Sequence, residues 1–512
     1  MKSAKPLYSI LSFFVPFGLY LGTLAPTMLW SDSAKLAIFV QERDFAGYGH
    51  GYHPLHTLLG ILFAKLPFEL AYTQNLMSAF FAAAALLALF HLLRELGLPP
   101  KASLLGCLLL AITHSFWLYS LINETYSLNA FFTVLILLSA VKFRNTKRLA
   151  CFCSAFFFSG LALYNHTASF LLLPTTAMLC FLGTRFRLRM ALLAPLCFLI
   201  GISPMFLIPL LSMGFSDFSR AVFSETSGVF ATFFEVKKTI REMAKFPFYL
   251  IYQFPSFAIL AGLLGLGKLM RRDRILSLSL FFFFLLNSFF AFTYFLQRQF
   301  ALLIPSYLVF GIWVMFGLDR SLLEEKIQPK KFFKNLLYLS MVTVPFFTYY
   351  AFPSIYKHSG LKLIHIRQLP YRDSVEYFFR PDKRWEYSAR KYVQDAFARA
   401  EKNAVIITDF NPGMALIYGQ KIYGGRPDIT IPQFIDSIVH ASPDPVRDMT
   451  EIIEKYIHCR PLYLSDRYEP YYHVRELGRV YSATNAGPMV RLQGKTQPSA
   501  RLTGGDAAPG GS

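Results

Sequence analysis

Four ionisable residues stand where apolar runs of the sequence meet short polar junctions. Asp32 follows the apolar run 7–28, Glu124 lies in "LINETYSLNA", His166 in "LYNHTASF" and Arg298 in "YFLQRQF". A carboxylate can take a proton from an attacking hydroxyl group, and a guanidinium can hold a phosphate through paired hydrogen bonds. A phosphate-linked leaving group departs more easily when its charge is balanced. These residue types suit the transfer of a group, such as a sugar, from a lipid phosphate.

The composition indicates a membrane protein with many spans. Of the 512 residues, 54% are hydrophobic and only 16% are charged, whereas soluble chains are about a quarter charged. Long apolar stretches recur from Leu7 to Phe352, and we interpret the first as a retained helix rather than a cleaved signal peptide. The net charge of +20 is explained by basic cytoplasmic loops, so nucleic acid is not an expected partner.

The distribution of basic residues predicts how the chain threads the membrane. Lys and Arg cluster in alternate junctions, which the positive-inside rule assigns to the cytoplasm: 94–101, 142–148, 185–189, 268–274 and 320–334. About eleven spans result, each near the roughly 20 residues that a bilayer requires. Residues 55–66 are too short to span and are expected to lie at the outer surface.

The same threading places Asp32, Glu124, His166 and Arg298 on one outer face. For any one of them alone, the solvated end of a membrane helix is the more common explanation. As a set they predict one site, because ionisable groups at membrane depth are costly and often functional.

The character of the sequence changes after the membrane-spanning region 1–352. Residues 353–490 predict a small α/β domain on the outer face: a buried strand in 403–410, a helix or strand in 414–424 and a helix in 390–399. Asp409 and Asp428 suit turn and cap positions there, with acceptor binding as the alternative. Residues 491–512 are expected to be disordered.

Several stretches resemble a known family. They are "LAPTMLWSDS" at 24–33, "PLHTLLG" at 54–60, "FWLYSLINETYSLNA" at 116–130, "GLALYNHTASFLLLP" at 160–174, "RQFALLIPSYLVFGIW" at 298–313 and "GGRPDI" at 424–429. The chain resembles the multi-span family that includes animal protein O-mannosyltransferases, and through it the C-type (GT-C) glycosyltransferases. The resemblance implies a mainly α, GT-C-like bundle of about eleven transmembrane helices with a small α/β domain.

The resemblance also implies a chemistry and a set of site residues. The donor would be a polyprenyl-phosphate-linked sugar, used on the periplasmic or luminal face. A single displacement predicts inversion at the anomeric carbon. Asp32 would be the catalytic base, in a first outer loop of about 31–76. Glu124, Tyr126 and Asn129 match the family's Glu-x-Tyr-x-Leu-Asn pattern, and Asn165 with His166 matches its Asn-His pair. Arg298 is our candidate for holding the donor phosphate.

Two departures from the family pattern stand out. Its Gly-Asp-Ser-Gly-Glu motif is Ser31-Asp32-Ser33-Ala34-Lys35 here, so a lysine replaces the glutamate. Its His-Pro-Pro-Gly-Tyr-Pro motif is "GHGYHP", with His50 and His53. We expect His53 to contact the acceptor or the lipid headgroup. Because His56 follows, a divalent metal is the alternative, although the spacing is loose and we assign no metal site and no other cofactor.

Two other functions stay open. The first is a polytopic transporter or flippase for a lipid or solute, although no internal repeat is evident and the polar residues gather on one face. The second is a degenerate family member that binds the lipid without catalysis, because Lys35 replaces the glutamate. The sequence does not distinguish a protein, lipid or glycan acceptor. The predicted location is the bacterial inner membrane, with a cytoplasmic N-terminus and a periplasmic C-terminal domain.

Overall fold

The computed structural model describes most of the chain as two compact units, Met1–Arg390 and Lys391–Ser512. The residues that it describes are 4–45, 53–182, 188–231, 236–294, 299–318, 331–360, 367–432, 434–436, 438 and 442–495. Arg298, His50 and the tail from 496 onwards lie outside them.

The first unit is built from helices. In chain order these are α1 Ala4–Thr23, α2 Asp32–Glu42, α3 Pro54–Phe63, α4 Leu70–Glu95, α5 Pro100–Ala111, α6 His114–Tyr119, α7 Tyr126–Thr146, α8 Leu149–Asn165, a 3₁₀ helix Thr167–Leu172, α9 Leu173–Phe181, α10 Leu188–Ala231 with a break at Gly214, α11 Val236–Met243, α12 Phe246–Gln253, α13 Ala258–Arg272, α14 Arg274–Thr293, α15 Gln299–Leu302, α16 Ile304–Leu318, α17 Lys331–Ser359 and α18 Ser374–Phe379.

Five of the described helices are long and apolar enough to cross a membrane, and a sixth span arises if a pair bent by 106° counts as one. The five are Pro6–Thr23, Leu70–Glu95, Tyr126–Thr146, Leu188–Ile208 and Arg274–Thr293. Other predicted spans fall on shorter apolar helices of 10–17 residues, such as α8 and α16, or on α17. The total of about eleven stays a prediction. Helix α3 has 10 residues, about 15 Å, and is too short to cross a bilayer core of about 30 Å.

Glycine allows the closest helix packing in this unit. A Cβ on Gly160 of α8 would lie 2.2 Å from the carbonyl oxygen of Phe198, and one on Gly201 of α10 would lie 2.1 Å from that of Phe157. Each helix therefore offers a glycine to the backbone of the other. Small residues allow this approach between helices in membranes, where apolar burial gives no preference for protein over lipid.

The second unit is a small α/β fold, as predicted. The described helices are α19 Ser388–Arg399, which begins in the first unit, α20 Phe410–Lys421, α21 Pro445–Glu454, α22 Glu469–Tyr472 and α23 Val474–Val480; the strands are β1 Val405–Ile407, β2 Leu462–Leu464, β3 Tyr481–Ala486 and β4 Met489–Gly494. The sheet order is β1-β2-β4-β3; β1 and β2 pair in parallel, and β4 pairs antiparallel with both β2 and β3.

The two aspartates of this unit have structural partners. Asp409 caps α20 by accepting from the backbone N–H of Asn411, and it also accepts from the Tyr472 hydroxyl. Asp428 forms a paired ion contact with Arg426, whose guanidinium holds the pKa of that carboxyl well below its usual range. The turn and cap roles predicted from the sequence therefore agree with these contacts.

The unit boundaries differ from those predicted. The first unit continues to Arg390 instead of ending at 352, because residues 367–390 hydrogen-bond to its helices. The last strand continues to Gly494, four residues past the predicted end of the α/β domain, because its partner strand β3 pairs with it over that length.

Candidate functional site

Asp32 is the first residue of α2 and is half-buried. The residue before it, Ser31, has φ 62° and ψ −131°, a conformation that only glycine adopts without strain. The carbonyl oxygen of Ser31 accepts from the N–H groups of Ala34 and Lys35 at 3.1 Å. Strain of this kind concentrates at functional sites. It places the Asp32 carboxylate at a helix N-terminus, where a negative charge is favourable.

Two buried asparagines connect the Asp32 segment to the Glu124 segment. Asn75 on α4 donates to the carbonyl oxygen of Ala25 at 2.9 Å and accepts from the backbone N–H of Asn123 at 2.8 Å. The Asn123 side chain donates to the carbonyl oxygen of Ser33 at 2.9 Å. Asn123 precedes Glu124, which is 5% exposed, and Ser33 follows Asp32. The structure therefore brings the segments of the two predicted carboxylates together.

Residues 380–390 contact the end of α1 and the loop 24–31, which leads into Asp32. The indole N–H of Trp30 donates to the Ser388 hydroxyl at 2.7 Å, and the backbone N–H of Lys383 donates to the carbonyl oxygen of Thr23 at 3.0 Å. Glu69, before α4, accepts from the Thr27 hydroxyl at 2.8 Å. The loop that carries Asp32 is therefore fixed from both sides by side-chain and backbone bonds.

His53 and His166 lie side by side. Their rings stack at 5.4 Å between centroids, with an interplanar angle of 25°. His53 Nδ1 lies 2.6 Å from the carbonyl oxygen of Asn165 and must carry the proton, because a carbonyl only accepts. His166 Nδ1 accepts from the backbone N–H of Ala168 at 3.2 Å, so the proton of its neutral ring is on Nε2.

These contacts give the two imidazoles complementary roles. Neutral His53 presents Nε2 as an acceptor, and neutral His166 presents Nε2–H as a donor. Burial lowers the pKa of His53 to about 3. The bond to Asn165 raises this pKa, and the charges of His56 and Lys35 lower it by smaller amounts. Burial and the neighbouring His53 lower the pKa of His166 to about 3. A donor beside an acceptor suits a hydroxyl group, which can both give and accept a hydrogen bond.

The remaining predicted residues surround this pair. The Tyr126 ring lies 6.0 Å from that of His166 and 4.8 Å from that of Tyr119. Asn129 accepts from the hydroxyl of Ser169 at 2.8 Å, which fixes the 3₁₀ helix that follows His166. The side chain of Asn165 is buried and donates to the carbonyl oxygen of Thr125 at 3.3 Å. This bond connects the end of α8 to the residue after Glu124.

Arg298 lies outside the described residues, so its predicted place in the site stays a prediction. Phe300, two residues later, lies 6.1 Å from Tyr119 and 6.0 Å from His114, between ring centroids. Across the part of the chain that the structure describes, no three His, Cys, Asp or Glu side chains are placed to hold a metal ion.

Several residues that position the site were not predicted from the sequence. Asn75, Asn123 and the segment 380–390 were not among the candidates. Asn75 had a usable signal: it ends the polar trio Thr73–Gln74–Asn75 inside an apolar span, and buried polar groups in such spans are costly. The segment 380–390 had no such signal, because its contact with Trp30 joins residues more than 350 positions apart in the chain.

A charged cluster occupies the same segment. Asp382 accepts from the Tyr350 hydroxyl at 3.1 Å, from Arg380 at 3.2 Å and from Arg384 at 3.0 Å. Lys383 is fully buried, and this burial lowers its pKa to about 7 against the opposing effect of Glu386 and Asp382. These contacts stabilise the bend that carries Lys383 to Thr23.

The fold matches solved membrane glycosyltransferases. ArnT from Cupriavidus metallidurans in the apo state is 13% identical, over 96% of this chain and 98% of that chain, with a TM-score of 0.59. ArnT from Cupriavidus metallidurans bound to undecaprenyl phosphate is 10% identical, over 94% of this chain and 97% of that chain, with a TM-score of 0.56. The oligosaccharyltransferase of Archaeoglobus fulgidus in the apo form is 12% identical, over 90% of this chain and 69% of that chain, with a TM-score of 0.51. The chain therefore has the fold of the GT-C membrane glycosyltransferases.

Part of the chain also matches a sequence family. Residues 49–189 match the family model described as the Protein O-mannosyl-transferase TMEM260 N-terminal domain. No curated protein sequence matches the chain. The matched segment contains six of the predicted site residues: His53, Glu124, Tyr126, Asn129, Asn165 and His166. Asp32 and Arg298 lie outside it.

Proposed function

We propose that this integral membrane protein transfers a sugar from a polyprenyl-phosphate donor to a hydroxyl acceptor, with Asp32 as the general base. The observation that carries the proposal is the connection of the Asp32 segment to the Glu124 segment through Asn123. The GT-C fold and the bound undecaprenyl phosphate in one ArnT structure support it. The site faces the periplasm of a bacterial inner membrane or an equivalent lumen.

The reaction follows from the residue types. Asp32 takes the proton of the acceptor hydroxyl as its oxygen attacks the anomeric carbon. The bond from that carbon to the phosphate oxygen breaks, polyprenyl phosphate leaves, and the configuration at the carbon inverts because there is one displacement. Glu124 supports Asp32 or orients the acceptor. His53 and His166 hold a hydroxyl of a substrate, and Arg298 balances the charge of the departing phosphate.

The test is a transfer assay on the full chain in detergent. A panel of undecaprenyl-phosphate sugars is offered, and release of undecaprenyl phosphate is followed by mass spectrometry, with water or added alcohols as acceptors. We expect Asp32→Asn to fold normally and to lose at least about 100-fold in rate, as the loss of a general base does. Glu42→Gln, at the exposed far end of α2, is the matched control and should keep the rate.

The outcomes separate three functions. Full transfer by a folded Asp32→Asn variant would eliminate Asp32 as the base. Donor binding without turnover by the wild type would identify a degenerate member of the family. Absence of both binding and release would favour the transporter.

A further inference from the structure

Lys35 places a positive charge inside the candidate site. The side chain is 3% exposed, and it lies one helical turn after Asp32 on α2. Its ammonium is 5.4 Å from the centre of the Phe39 ring, a geometry in which a cation and an aromatic face attract each other. The resembling family has a glutamate at this position, so the charge here is inverted.

Two imidazoles lie at the start of α3, since His53 precedes this helix and His56 is in its first turn. Lys35 and His56 both lower the pKa of His53 by their charge. Helix α3, which carries His56, packs tightly on α2: a Cβ on Gly60 would lie 2.5 Å from Cγ2 of Val40. His56 is 1% exposed, and neither of its ring nitrogens has a hydrogen-bond partner within the described residues.

The buried His56 ring, which has no hydrogen-bond partner among the described residues, also indicates a ligand. Leaving a buried polar group unpaired costs about 1–3 kcal/mol, and a bound group that hydrogen-bonds to the His56 ring would recover that loss. An ammonium and an imidazole N–H are both donors, and the acceptor that they bind most strongly is an oxyanion.

We propose that Lys35 and His56 form an oxyanion subsite for a negatively charged group of the substrate. The inference rests on the proposed glycosyl transfer and specifies what the substrate must carry. The oxyanion is either the phosphate of the lipid-linked donor or an acidic substituent on the transferred sugar.

The position of the subsite has an electrostatic reason. Residues three apart on a helix have Cβ atoms about 5–6 Å apart, so an oxyanion beside Lys35 would also lie near the Asp32 carboxylate. A glutamate at position 35 would repel the oxyanion further. The lysine offsets the repulsion from Asp32 and so permits an anionic group within one helical turn of the proposed base.

The experiment measures the affinity of the full chain in detergent for undecaprenyl phosphate and for undecaprenol, its neutral alcohol. The dissociation constant for undecaprenol divided by that for undecaprenyl phosphate reports how much the phosphate contributes to binding. We expect Lys35→Met to reduce this ratio about tenfold or more, the size of a charge-assisted hydrogen bond. Lys35→Arg keeps the charge and should keep most of the ratio. Lys101→Met, at an exposed lysine of α5, should not change it.

A second arm distinguishes the source of the oxyanion. Donors that share the lipid phosphate but carry a neutral hexose or a hexuronic acid are compared in transfer rate. If Lys35→Met keeps the phosphate ratio but loses a wild-type preference for the acidic sugar, the subsite binds the sugar substituent, which also supports the proposal. If the folded variant changes neither quantity, the subsite is overturned and the glycosyl transfer stands. If the wild type neither binds undecaprenyl phosphate nor transfers sugar, both proposals fail.

Discussion

Nδ1 of His53 lies 2.6 Å from the backbone carbonyl oxygen of Asn165. This bond joins the loop before α3 to the end of α8, across 112 positions of the sequence. It also sets the tautomer of the imidazole, because the carbonyl requires a proton on Nδ1. One contact thus places two motifs of the family resemblance together and decides which nitrogen His53 offers to a ligand.

The two low histidine pKa values predict an acid-sensitive fold. His53 and His166 stay neutral in the folded chain down to about pH 3, whereas unfolded histidines take up protons below about pH 6.5. The unfolded state therefore binds more protons over this interval. As the pH is lowered, the free energy of unfolding decreases by up to about 1.4 kcal/mol per histidine per pH unit. We expect the apparent Tm to fall between pH 7 and pH 5, and to fall less in a His53→Gln/His166→Gln variant.

The control for that series is His458→Gln, because this side chain is exposed and lies in the second unit. An unchanged pH slope in the double variant, with the control equal to wild type, would show that the two imidazoles are not the cause.

The strained backbone at Ser31 predicts a stabilising substitution. Ser31→Gly should raise the free energy of unfolding by about 1 kcal/mol, since glycine adopts φ 62°, ψ −131° without the side-chain clash. Ser33→Gly, two residues later inside α2, should instead lower it by about 1 kcal/mol. Thermal unfolding of both variants tests this, and equal shifts in the same direction would contradict it. Transfer activity of Ser31→Gly should be retained.

The hydrogen bond between Trp30 and Ser388 predicts a loss of positioning. Trp30→Phe removes one hydrogen bond of the Ser388 hydroxyl, which keeps its bond to Glu386, at a cost of about 1 kcal/mol. We expect a lower Tm and a lower kcat, because the loop that carries Asp32 loses one support, with little change in the Kd for undecaprenyl phosphate.

Trp313→Phe is the matched control for that variant. Trp313 is buried, but its indole N–H has no hydrogen-bond partner in the described part of the chain. Trp313→Phe therefore removes an indole ring without removing a hydrogen bond. A kcat reduced equally in both variants would mean that ring volume, and not the bond to Ser388, is responsible.

The contact between α8 and α10 predicts a strong effect of a single methyl group. Gly160→Ala would set a Cβ 2.2 Å from the carbonyl oxygen of Phe198, and backbone has to move to relieve that overlap. We expect several kcal/mol of destabilisation, seen as poor yield of monodisperse protein in detergent. Gly267→Ala has no heavy atom within 4 Å of the added carbon and should be neutral or slightly stabilising. Equal behaviour of the two would refute the close approach.

Part of this architecture was accessible from the sequence. Apolar runs and basic clusters predict membrane helices and their order, because a bilayer fixes both length and charge placement. Residue type and position also indicate Asp32, Glu124 and His166 as candidates for one site, and their chemistry stays a prediction. The segments of Asp32 and Glu124 meet in the structure, and His53, Tyr126 and His166 form one cluster.

The supports of the site were not accessible. The bonds from Asn123 to Ser33 and from Trp30 to Ser388 depend on how distant segments pack, and no local pattern encodes that. The conformation of Ser31 was hidden for a related reason, since a serine in the sequence gives no sign of a backbone that favours glycine. The packing of residues 367–390 on the helices of the first unit was not evident either, because more than half of these residues are polar in the sequence.

The contacts of Lys383 with Thr23 and of Ser388 with Trp30 have a consequence for biosynthesis. Both join the first loop of the chain to residues that the ribosome adds more than 350 codons later. Until that segment emerges, the loop that carries Asp32 lacks two of its supports, although most of the helices before it can already be in the bilayer. A growing chain therefore inserts before this loop is fully supported, and the proposed sugar transfer should begin only when synthesis has passed Ser388.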